Sequence, residues 1–195
     1  MNKVIAITGG IGSGKSFALK IIKKLGYKSF SADLTYKQLL KSKRFVIAVS
    51  NLLNVEPITV DGKLCLDKNA VSATVFSDKT KLKTLNDFTH PKIMEKMLSQ
   101  AKKYDGLVFC EVPLLYEGGF ENLFDAVFVI MRKDEERFSS ASKRDGKTIE
   151  QIKSVALNQF NYTNLQENKH TFIIENDQDE KALTEKIKDA INKII

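Results

Sequence analysis

Short apolar runs alternate with amphipathic stretches along the chain. Amphipathic segments, with apolar residues at helical spacing, separate the runs, and Gly26 is placed to end the first such helix. Strands that are apolar nearly throughout, joined by long crossovers, are typical of a parallel sheet with helices on both faces. The pattern therefore predicts a three-layer α/β fold with a central five-stranded parallel sheet, its strands at residues 3–8, 27–32, 107–111, 126–131 and 171–174.

Two long insertions interrupt this pattern of strands and helices. The first, about residues 36–104, is predicted to be mostly helical, with helices at 66–76, 79–88 and 92–103 and Pro91 near the start of the last helix. The second, about 133–165, is also predicted to be helical. Residues 1–35, 105–132 and 168–195 then form the core of a single domain. The first insertion is expected to project from the carboxyl edge of the sheet, where α/β proteins bind ligands.

Charge adds one local feature to this picture. Lysine and arginine number 31 against 24 aspartates and glutamates, a net charge of +7, but lysine is spread along the helical segments. Without a basic stripe interleaved with aromatic residues, a nucleic-acid partner is not expected. Arginine is concentrated instead: three of the four arginines are Arg132, Arg137 and Arg144. The segment that contains these three arginines is therefore predicted to use guanidinium groups, which are planar and carry several hydrogen-bond donors.

Two cysteines, Cys65 and Cys110, give no disulfide framework, and no apolar run approaches the ~20 residues that span a bilayer. We therefore expect a cytoplasmic protein without a membrane partner, either a monomer or a weak homo-oligomer.

Residues 9–16 read GGIGSGKS and match the phosphate-loop pattern GxxxxGK[ST] between a predicted strand and a predicted helix. Glycines let successive backbone N–H groups turn toward phosphate oxygens, and the helix N-terminus adds partial positive charge. The lysine of the motif reaches the β- and γ-phosphates and its serine hydroxyl ligates Mg²⁺. The predicted ATP-binding residues here are Gly9, Gly10, Gly12, Ser13, Gly14, Lys15, Ser16 and Phe17.

A phosphate loop predicts binding of a nucleoside triphosphate and leaves the reaction open. The guanine-recognition pattern NKxD and the switch pattern DxxG of GTPases are both absent. A small α/β domain with a helical insertion and an arginine-bearing lid suits a small-molecule kinase, in which the lid closes over the triphosphate and excludes water. The acceptor of such a kinase is open at this point, and a non-catalytic nucleotide-binding or nucleic-acid-binding protein is the alternative.

Two carboxylates and two arginines are the candidates for the chemistry. Asp33, at the end of the second strand, suits a base for an attacking hydroxyl, and equally an N-cap for a helix starting at residue 34. Glu111, at the end of the third strand, suits an Mg²⁺ site or a solvated strand end. Arg137 and Arg144 are seven residues apart and share a helix face. They suit either neutralisation of phosphate charge or ion pairs with the acidic residues at 134–136.

Taken together, the motifs resemble those of the dephospho-CoA kinase family over nearly the whole chain. The most specific is EVPLLYE at 111–117, against the family's D-x-P-L-L-[FY]-E. Arg137, Arg144 and Gln159 fall in an R…R…Q series, and Asn176 follows the final strand. The other matches are TGGIGSGKS, Ser31-Ala32-Asp33, Asp61-Gly62, Val75-Phe76 and His90-Pro91-Lys92-Ile93.

This resemblance implies ATP-dependent phosphorylation of the ribose 3′-hydroxyl of dephospho-CoA, the last step of coenzyme A biosynthesis, with Mg²⁺ as cofactor. It implies that Asp33 engages the hydroxyl, that Ser16 and Glu111 serve the metal, and that Asn176 serves the nucleotide. Arg137 and Arg144 would be lid arginines, with Lys15 on the phosphates. The acceptor would be bound by the helical insertion and by Asp33, His90, Pro113, Leu114, Leu115 and Glu117.

The chain departs from the family's pattern at three places. Phe17 replaces a hydroxyl residue after GKS, Glu111 replaces the commoner aspartate, and residues 169–171 replace an Ala-Asp pair. Because neither Asp33 nor Lys15 is affected, we expect these departures to alter nucleotide affinity rather than abolish transfer.

Overall fold

The computed structural model describes residues 2–195, which divide into two units. The larger unit contains the residues up to Ser31 together with Gln100–Ile195, and the smaller unit is Ala32–Ser99. In chain order the helices and strands are β1 (Asn2–Thr8), α1 (Lys15–Lys24), β2 (Lys28–Ser31), α2 (Ala32–Leu39), α3 (Lys43–Leu53), β3 (Ile58–Val60), β4 (Lys63–Cys65), α4 (Lys68–Ser77), α5 (Lys79–Ala101), β5 (Gly106–Glu111), β6 (Ala126–Met131), α6 (Asp134–Asp145), α7 (Ile149–Leu157), β7 (Thr171–Glu175) and α8 (Glu180–Asn192).

The larger unit is built on a five-stranded sheet in the order β2-β5-β1-β6-β7, with every neighbouring pair parallel. The five strands predicted from the apolar runs are confirmed, as is the α/β fold. β1 lies at the centre, with Ile7 paired to Glu111 of β5 on one side and to Phe128 of β6 on the other. Since all five strands run the same way, their carboxyl ends meet at one edge.

Alternating side chains of the central strands are buried on both faces of the sheet. Ile5, Ile7 and Phe128 are fully buried in a core cluster with apolar residues of α1 and α8. Val4 and Ala6, which point the opposite way because side chains alternate along a strand, are also buried. Burial on both faces explains why these strands are apolar nearly throughout.

Helix α1 ends as the sequence predicts. Gly26 has a φ of 93°, its N–H donates to the Lys23 carbonyl, and the Tyr27 N–H donates to the Ile22 carbonyl. This pair of hydrogen bonds is a Schellman motif, which needs a residue in the left-handed region at the glycine position. The chain then turns directly into β2.

Helices α6 and α7 form the second predicted helical stretch. Acidic residues occupy the first turn of α6, basic residues its last turn, and Gly146 follows with a φ of 64°. This charge arrangement complements the helix dipole. A capping box between Thr148 and Gln151 starts α7. Phe138, Ile152 and Ala141 pack between the two helices, with Ile11 of the phosphate loop against them.

The smaller unit is mostly helical, with its own apolar cluster around Phe45, Val49 and Leu53. It also contains a hairpin, β3–β4, which the periodicity did not predict. Asp61 and Gly62 form its turn with φ angles of 48° and 72°, the pair of positive values that a tight hairpin favours.

The separate helices predicted at 79–88 and 92–103 are wrong, because α5 runs unbroken from Lys79 to Ala101 with Pro91 inside it. Proline in a helix interior costs about 3 kcal/mol. Phe88, before Pro91, packs on the apolar cluster of the unit, and Met94 and Met97, after it, are buried. Since each buried side chain contributes ~1.5–3 kcal/mol, burial on both sides offsets the cost of Pro91.

Within residues 2–195, no helix is long and apolar enough to cross a membrane. Both cysteines are free thiols.

Candidate active site

The phosphate loop connects the carboxyl end of β1 to the start of α1, as its sequence predicts. Gly14 precedes the helix in the left-handed region, with a φ of 99°, and its carbonyl accepts the N–H groups of Phe17 and Ala18 at 2.9 Å each. The Ser13 N–H donates to the Gly10 carbonyl at 3.2 Å, which closes the turn before it. The backbone therefore curls ahead of a helix N-terminus, the arrangement that binds phosphate.

Two glycines of this loop are required by their neighbours. A Cβ on Gly12, whose φ is 75°, would overlap the carbonyl of Arg137 in α6. A Cβ on Gly14 would overlap the amide group of Asn176. Because the loop approaches other main chain and side chains this closely, glycine is needed for space as well as for its φ angle.

Lys15, the first residue of α1, folds over this loop. Its ammonium group donates to the carbonyls of Gly9, at 2.8 Å, and Gly10, at 3.0 Å. Burial lowers the pKa of Lys15 to about 8, while the negative charges of Glu111 and Glu117 oppose that shift. A partly desolvated ammonium group interacts more strongly with a phosphate than a hydrated one does.

Ser16 and Glu111 form a pair beside Lys15. The Ser16 hydroxyl donates to Glu111 Oε1 at 2.6 Å, and Glu111 is buried at the end of β5, with only 8% of its surface exposed. The alternative of a solvated acid at a strand end does not describe this buried side chain. Hydroxyl and carboxylate oxygens are ligands that Mg²⁺ prefers, and Mg²⁺ usually takes one or two protein ligands together with phosphates and water. The pair fits that role.

The described residues contain no cluster of three or more histidine, cysteine, aspartate or glutamate side chains that would hold a metal by itself.

Arg137 reaches the phosphate loop from α6. Its Nη1 donates to the Ile11 carbonyl at 3.3 Å, and its Nε donates to Asp134 Oδ1 at 2.7 Å. The local ion pair with an acidic residue at 134–136 is therefore present, whereas neutralisation of phosphate charge by Arg137 stays a prediction. The positive charge of Arg137 contributes to the lowered pKa of Lys15.

Arg144 lies on the same helix but makes a different contact. Its guanidinium donates twice to the Asp145 carboxylate, at 2.6 and 2.8 Å. Its charge also contributes to the lowered pKa of Lys15, so Arg144 belongs to the electrostatic surroundings of the loop. A contact between Arg144 and phosphate stays a prediction.

Asn176 supports the loop from the end of β7. Its backbone N–H donates to the Met131 carbonyl at 2.8 Å, and its side-chain Nδ2 donates to the Ser13 carbonyl at 2.9 Å. Asn176 is buried, and this geometry makes it a brace for the loop. The contact with nucleotide predicted for it remains untested.

Gln159 and Tyr162 are loop contacts that the periodicity did not reveal. Gln159 Oε1 accepts the N–H of Ile11 at 2.7 Å, and the Tyr162 hydroxyl lies 3.3 Å from the hydroxyl of Thr8. Burial raises the pKa of Tyr162 to about 12. Gln159 had a signal in the R…R…Q series, whereas nothing in the sequence around Tyr162 indicates that its side chain meets β1.

The predicted acceptor residues at 113–117 follow β5 directly. Leu115 is fully buried and acts as a core residue, while Pro113 and Leu114 are partly exposed. The Glu117 carboxylate accepts the N–H of Phe160 at 2.8 Å. Only part of this segment is therefore available to a ligand.

Asp33 and His90 belong to the smaller unit. Helix α2 begins at Ala32, so Asp33 lies in its first turn rather than capping a helix that starts at residue 34. His90 is partly buried within α5, immediately before Pro91. The roles predicted for both remain predictions.

A cavity of about 560 Å³ lies beside the phosphate loop in the larger unit. Gly10 and Ser13 line it on one side, Met131 and Arg132 at the end of β6 on another, and residues of α6, α7 and the following segment close the rest. Arg132 itself is held by Glu136 and Ser140, both at 3.0 Å.

A parallel sheet whose central strand opens into this loop, with an arginine-bearing helix pair against it, defines a P-loop kinase. The sequence profile of the family described as dephospho-CoA kinase matches residues 3–182. The chain belongs to the dephospho-CoA kinase family.

Individual relatives agree with the family profile. A dephospho-CoA kinase of Helicobacter pylori is 37% identical over 137 residues, 67% of this chain and 66% of that protein. The dephospho-CoA kinase of Chlorobaculum tepidum is 31% identical over 181 residues, 89% of this chain and 86% of its own. Among solved structures, dephospho-CoA kinase from Campylobacter jejuni matches with a TM-score of 0.68 and 28% identity, covering 100% of this chain and 98% of that one.

Proposed function

We propose that the protein transfers the γ-phosphoryl group of ATP to the ribose 3′-hydroxyl of dephospho-CoA, giving coenzyme A and ADP. Membership of the dephospho-CoA kinase family supports this reaction and the two small-molecule substrates. The observation that carries the proposal is the Ser16–Glu111 pair at 2.6 Å beside the Lys15 ammonium group. This combination provides a cation for the phosphates and oxygen ligands for a metal at the same loop.

The phosphate loop and Lys15 bind the β- and γ-phosphates of ATP. Backbone N–H groups at the start of α1 and the helix dipole favour the negative charge, and the ammonium group of Lys15 leaves the carbonyls of Gly9 and Gly10 for the phosphate oxygens. Because phosphoryl transfer needs little covalent help from the protein, positioning and charge stabilisation account for most of the catalysis.

Ser16 and Glu111 would hold Mg²⁺ against the phosphates. The serine hydroxyl would provide a ligand, and the Glu111 carboxylate, which is within hydrogen-bond distance of that hydroxyl, would orient it or a metal-bound water. When bound, Mg²⁺ neutralises charge on the phosphate oxygens.

Asp33 is proposed to orient the 3′-hydroxyl of the acceptor and to accept its proton. A carboxylate in this role positions the nucleophile and removes its proton in the transition state. Arg137, held at the loop by Ile11 and Asp134, would stabilise the charge that develops on the transferred group. We further propose that residues 36–104 bind the acceptor and that residues 133–165 act as the lid, with His90, Pro113 and Leu114 on the acceptor side.

A coupled assay tests this proposal. Purified protein with Mg²⁺ and ATP is given dephospho-CoA, a nucleoside or a sugar acid in separate reactions, and ADP and phosphorylated product are measured. We expect one ADP per coenzyme A with dephospho-CoA and only background with the other two acceptors. Lys15→Ala is the control for contaminating kinases. Turnover of dephospho-CoA no faster than this variant, or faster phosphorylation of another acceptor, would contradict the proposal.

A further inference from the structure

The segment 159–162, which follows α7, contacts the phosphate loop at one point and the end of β1, just before the loop, at another. Gln159 accepts the N–H of Ile11 at 2.7 Å, and the buried Tyr162 places its hydroxyl 3.3 Å from that of Thr8, at the end of β1. We call residues 159–162 the clamp segment. Because its contacts lie on both sides of Gly9 and Gly10, it restricts the path of the loop there.

The clamp segment is in turn held by the two residues that end the 113–117 stretch. Glu117 Oε1 accepts the backbone N–H of Phe160 at 2.8 Å. The Tyr116 ring stacks on the Phe160 ring, with centroids 4.5 Å apart and planes 23° apart. The Phe160 ring also meets Tyr162 edge-on at 5.1 Å. Phe160 is therefore fixed through its main chain by Glu117 and through its side chain by two rings.

A hydrogen bond to an ionised group is stronger than one between neutral groups. Phe160 is one residue from Gln159 and two residues from Tyr162. The position of its N–H therefore determines whether Gln159 reaches Ile11 and whether Tyr162 reaches Thr8. Loss of the carboxylate would release the middle of the clamp segment, so Gln159 and Tyr162 would still be present but would no longer be held at their partners.

We propose that Glu117 is a positioning residue for the nucleotide: by holding Phe160 it keeps Gln159 and Tyr162 against the phosphate loop in the form that binds ATP. This assigns Glu117 a task different from the acceptor contact predicted from the sequence. The inference rests on the proposed function in taking ATP as the nucleotide.

Glu117 also affects the phosphate loop through its negative charge, which acts on Lys15. The carboxylate is among the groups whose negative charge opposes the lowering of the Lys15 pKa. The substitution Glu117→Gln separates the two routes, since the amide oxygen still accepts the Phe160 N–H and the charge is lost.

The test is calorimetric titration of ATP, with Mg²⁺ and without acceptor, into the wild type, Glu117→Ala and Glu117→Gln. We expect Glu117→Ala to weaken ATP binding about 10-fold, the effect of losing one charge-assisted hydrogen bond, and Glu117→Gln to stay within about threefold of the wild type. The matched control is Glu185→Ala, which removes an exposed carboxylate on α8 that pairs with Lys188, and it should bind ATP as the wild type does. An ATP affinity of Glu117→Ala within about twofold of the wild type would overturn the proposal, and so would a Glu117→Gln variant as weak as Glu117→Ala.

A double variant tests the route through the clamp segment. If Glu117 acts through Gln159, then Glu117→Ala together with Gln159→Ala should bind ATP about as weakly as Gln159→Ala alone. Fully additive losses would show that Glu117 acts elsewhere and would overturn the proposal.

Thermal melting shows whether Glu117→Ala folds. If it does not fold, a second variant, Tyr116→Leu, tests the same proposal. Tyr116→Leu removes the stacked ring from Phe160 and is expected to weaken ATP about 5-fold. Unchanged ATP affinity in a folded Tyr116→Leu would also count against the proposal. None of these titrations uses an acceptor. A protein that binds ATP as described but does not phosphorylate dephospho-CoA would therefore refute the proposed function and leave this inference standing.

Discussion

The carbonyl of Arg137 occupies the space that a Cβ on Gly12 would need. The close approach joins α6 to the middle of the phosphate loop, and the guanidinium of the same residue donates to the neighbouring Ile11 carbonyl. The position of the helix pair and the shape of the loop are therefore linked by one residue on each side.

Gly12→Ala tests this link. The variant must move α6 or the loop, so we expect ATP affinity to fall more than about 10-fold. Gly26→Ala is the matched control, because Gly26 also has a positive φ, 93°, but nothing lies within 4 Å of a Cβ there. It should lower the melting temperature and keep ATP affinity. Titration and thermal melting of both variants provide the measurement, and equal ATP affinity in the two would refute the link.

The guanidinium of Arg137 serves two partners, Asp134 and Ile11. A lysine at this position has a single nitrogen and loses the planar fork, so Arg137→Lys should reduce kcat/KM for ATP about 10-fold. Arg137→Ala should lose more, since the charge is also removed. Steady-state kinetics compares the three proteins. Full activity of Arg137→Lys would mean that only the charge of this residue matters.

The Glu111 carboxylate is expected to determine the Mg²⁺ concentration that half-maximal activity needs. Glu111→Gln keeps the size of the side chain and an oxygen for the Ser16 hydroxyl but loses the charge that attracts the metal or its water. Outer contacts of this kind typically change metal affinity 10–100-fold, so half-maximal activity should need at least ~10-fold more Mg²⁺. The measurement is activity against Mg²⁺ concentration at saturating ATP, with Glu185→Gln as control. An unchanged Mg²⁺ curve would remove Glu111 from the metal site.

The lowered pKa of Lys15, about 8 against 10.5 in solution, predicts a pH dependence. Above pH 8 the free protein holds this lysine neutral, so kcat/KM for ATP should fall as pH rises through about 8. Bound phosphates raise the pKa again, so the decline in kcat should begin at higher pH. A profile of kcat/KM that stays flat to pH 9.5 would contradict the assignment.

The same pKa has a consequence for stability. Because it is lower in the folded protein than in the unfolded chain, the cost of burying the Lys15 charge is present in full below pH 8. That cost disappears as pH rises from about 8 to 10.5, so this residue makes a contribution to stability that increases over the interval.

Asp33→Asn separates catalysis from helix stability. Asp33 lies in the first turn of α2, where a negative charge is worth about 0.3–1 kcal/mol, so the variant should lose no more stability than that. If Asp33 accepts the hydroxyl proton, turnover should fall about 10² to 10⁴-fold while ATP binding persists. Asp179→Asn is the control, since Asp179 caps α8 and asparagine caps almost as well. Wild-type kcat in Asp33→Asn would leave Asp33 with a structural role only.

The sequence predicts the sheet and the loop well because each rests on a local signal. An apolar run marks each strand, and GGIGSGKS marks the turn between β1 and α1. The sequence did not predict the unbroken helix across Pro91, because the burial of side chains before and after the proline stabilises it. It did not predict the β3–β4 hairpin, because that turn depends on two residues with positive φ angles.

Within the site, local sequence patterns do not predict contacts between residues that are far apart along the chain. The bond between Ser16 and Glu111 follows from strand order, which places the end of β5 beside the end of β1. The meeting of Tyr162 with Thr8 depends on the path of the chain after α7, for which no periodic pattern exists. Roles for Gln159 and Glu117 likewise depend on side-chain oxygens that accept backbone N–H groups more than 40 residues away along the chain.

The pairing of β1 has a consequence for how the chain is made. Strand β1 lies at the centre of the sheet, yet Asn2 pairs with Gly106 and Ile5 pairs with Ala126. During translation, more than a hundred further residues must therefore be synthesised before β1 has a neighbouring strand to pair with. Long-range parallel pairing of this kind folds slowly and leaves unpaired edges exposed to aggregation. Asn176, which holds the phosphate loop through Ser13, comes later still, so the nucleotide site is completed only after residue 176 has left the ribosome.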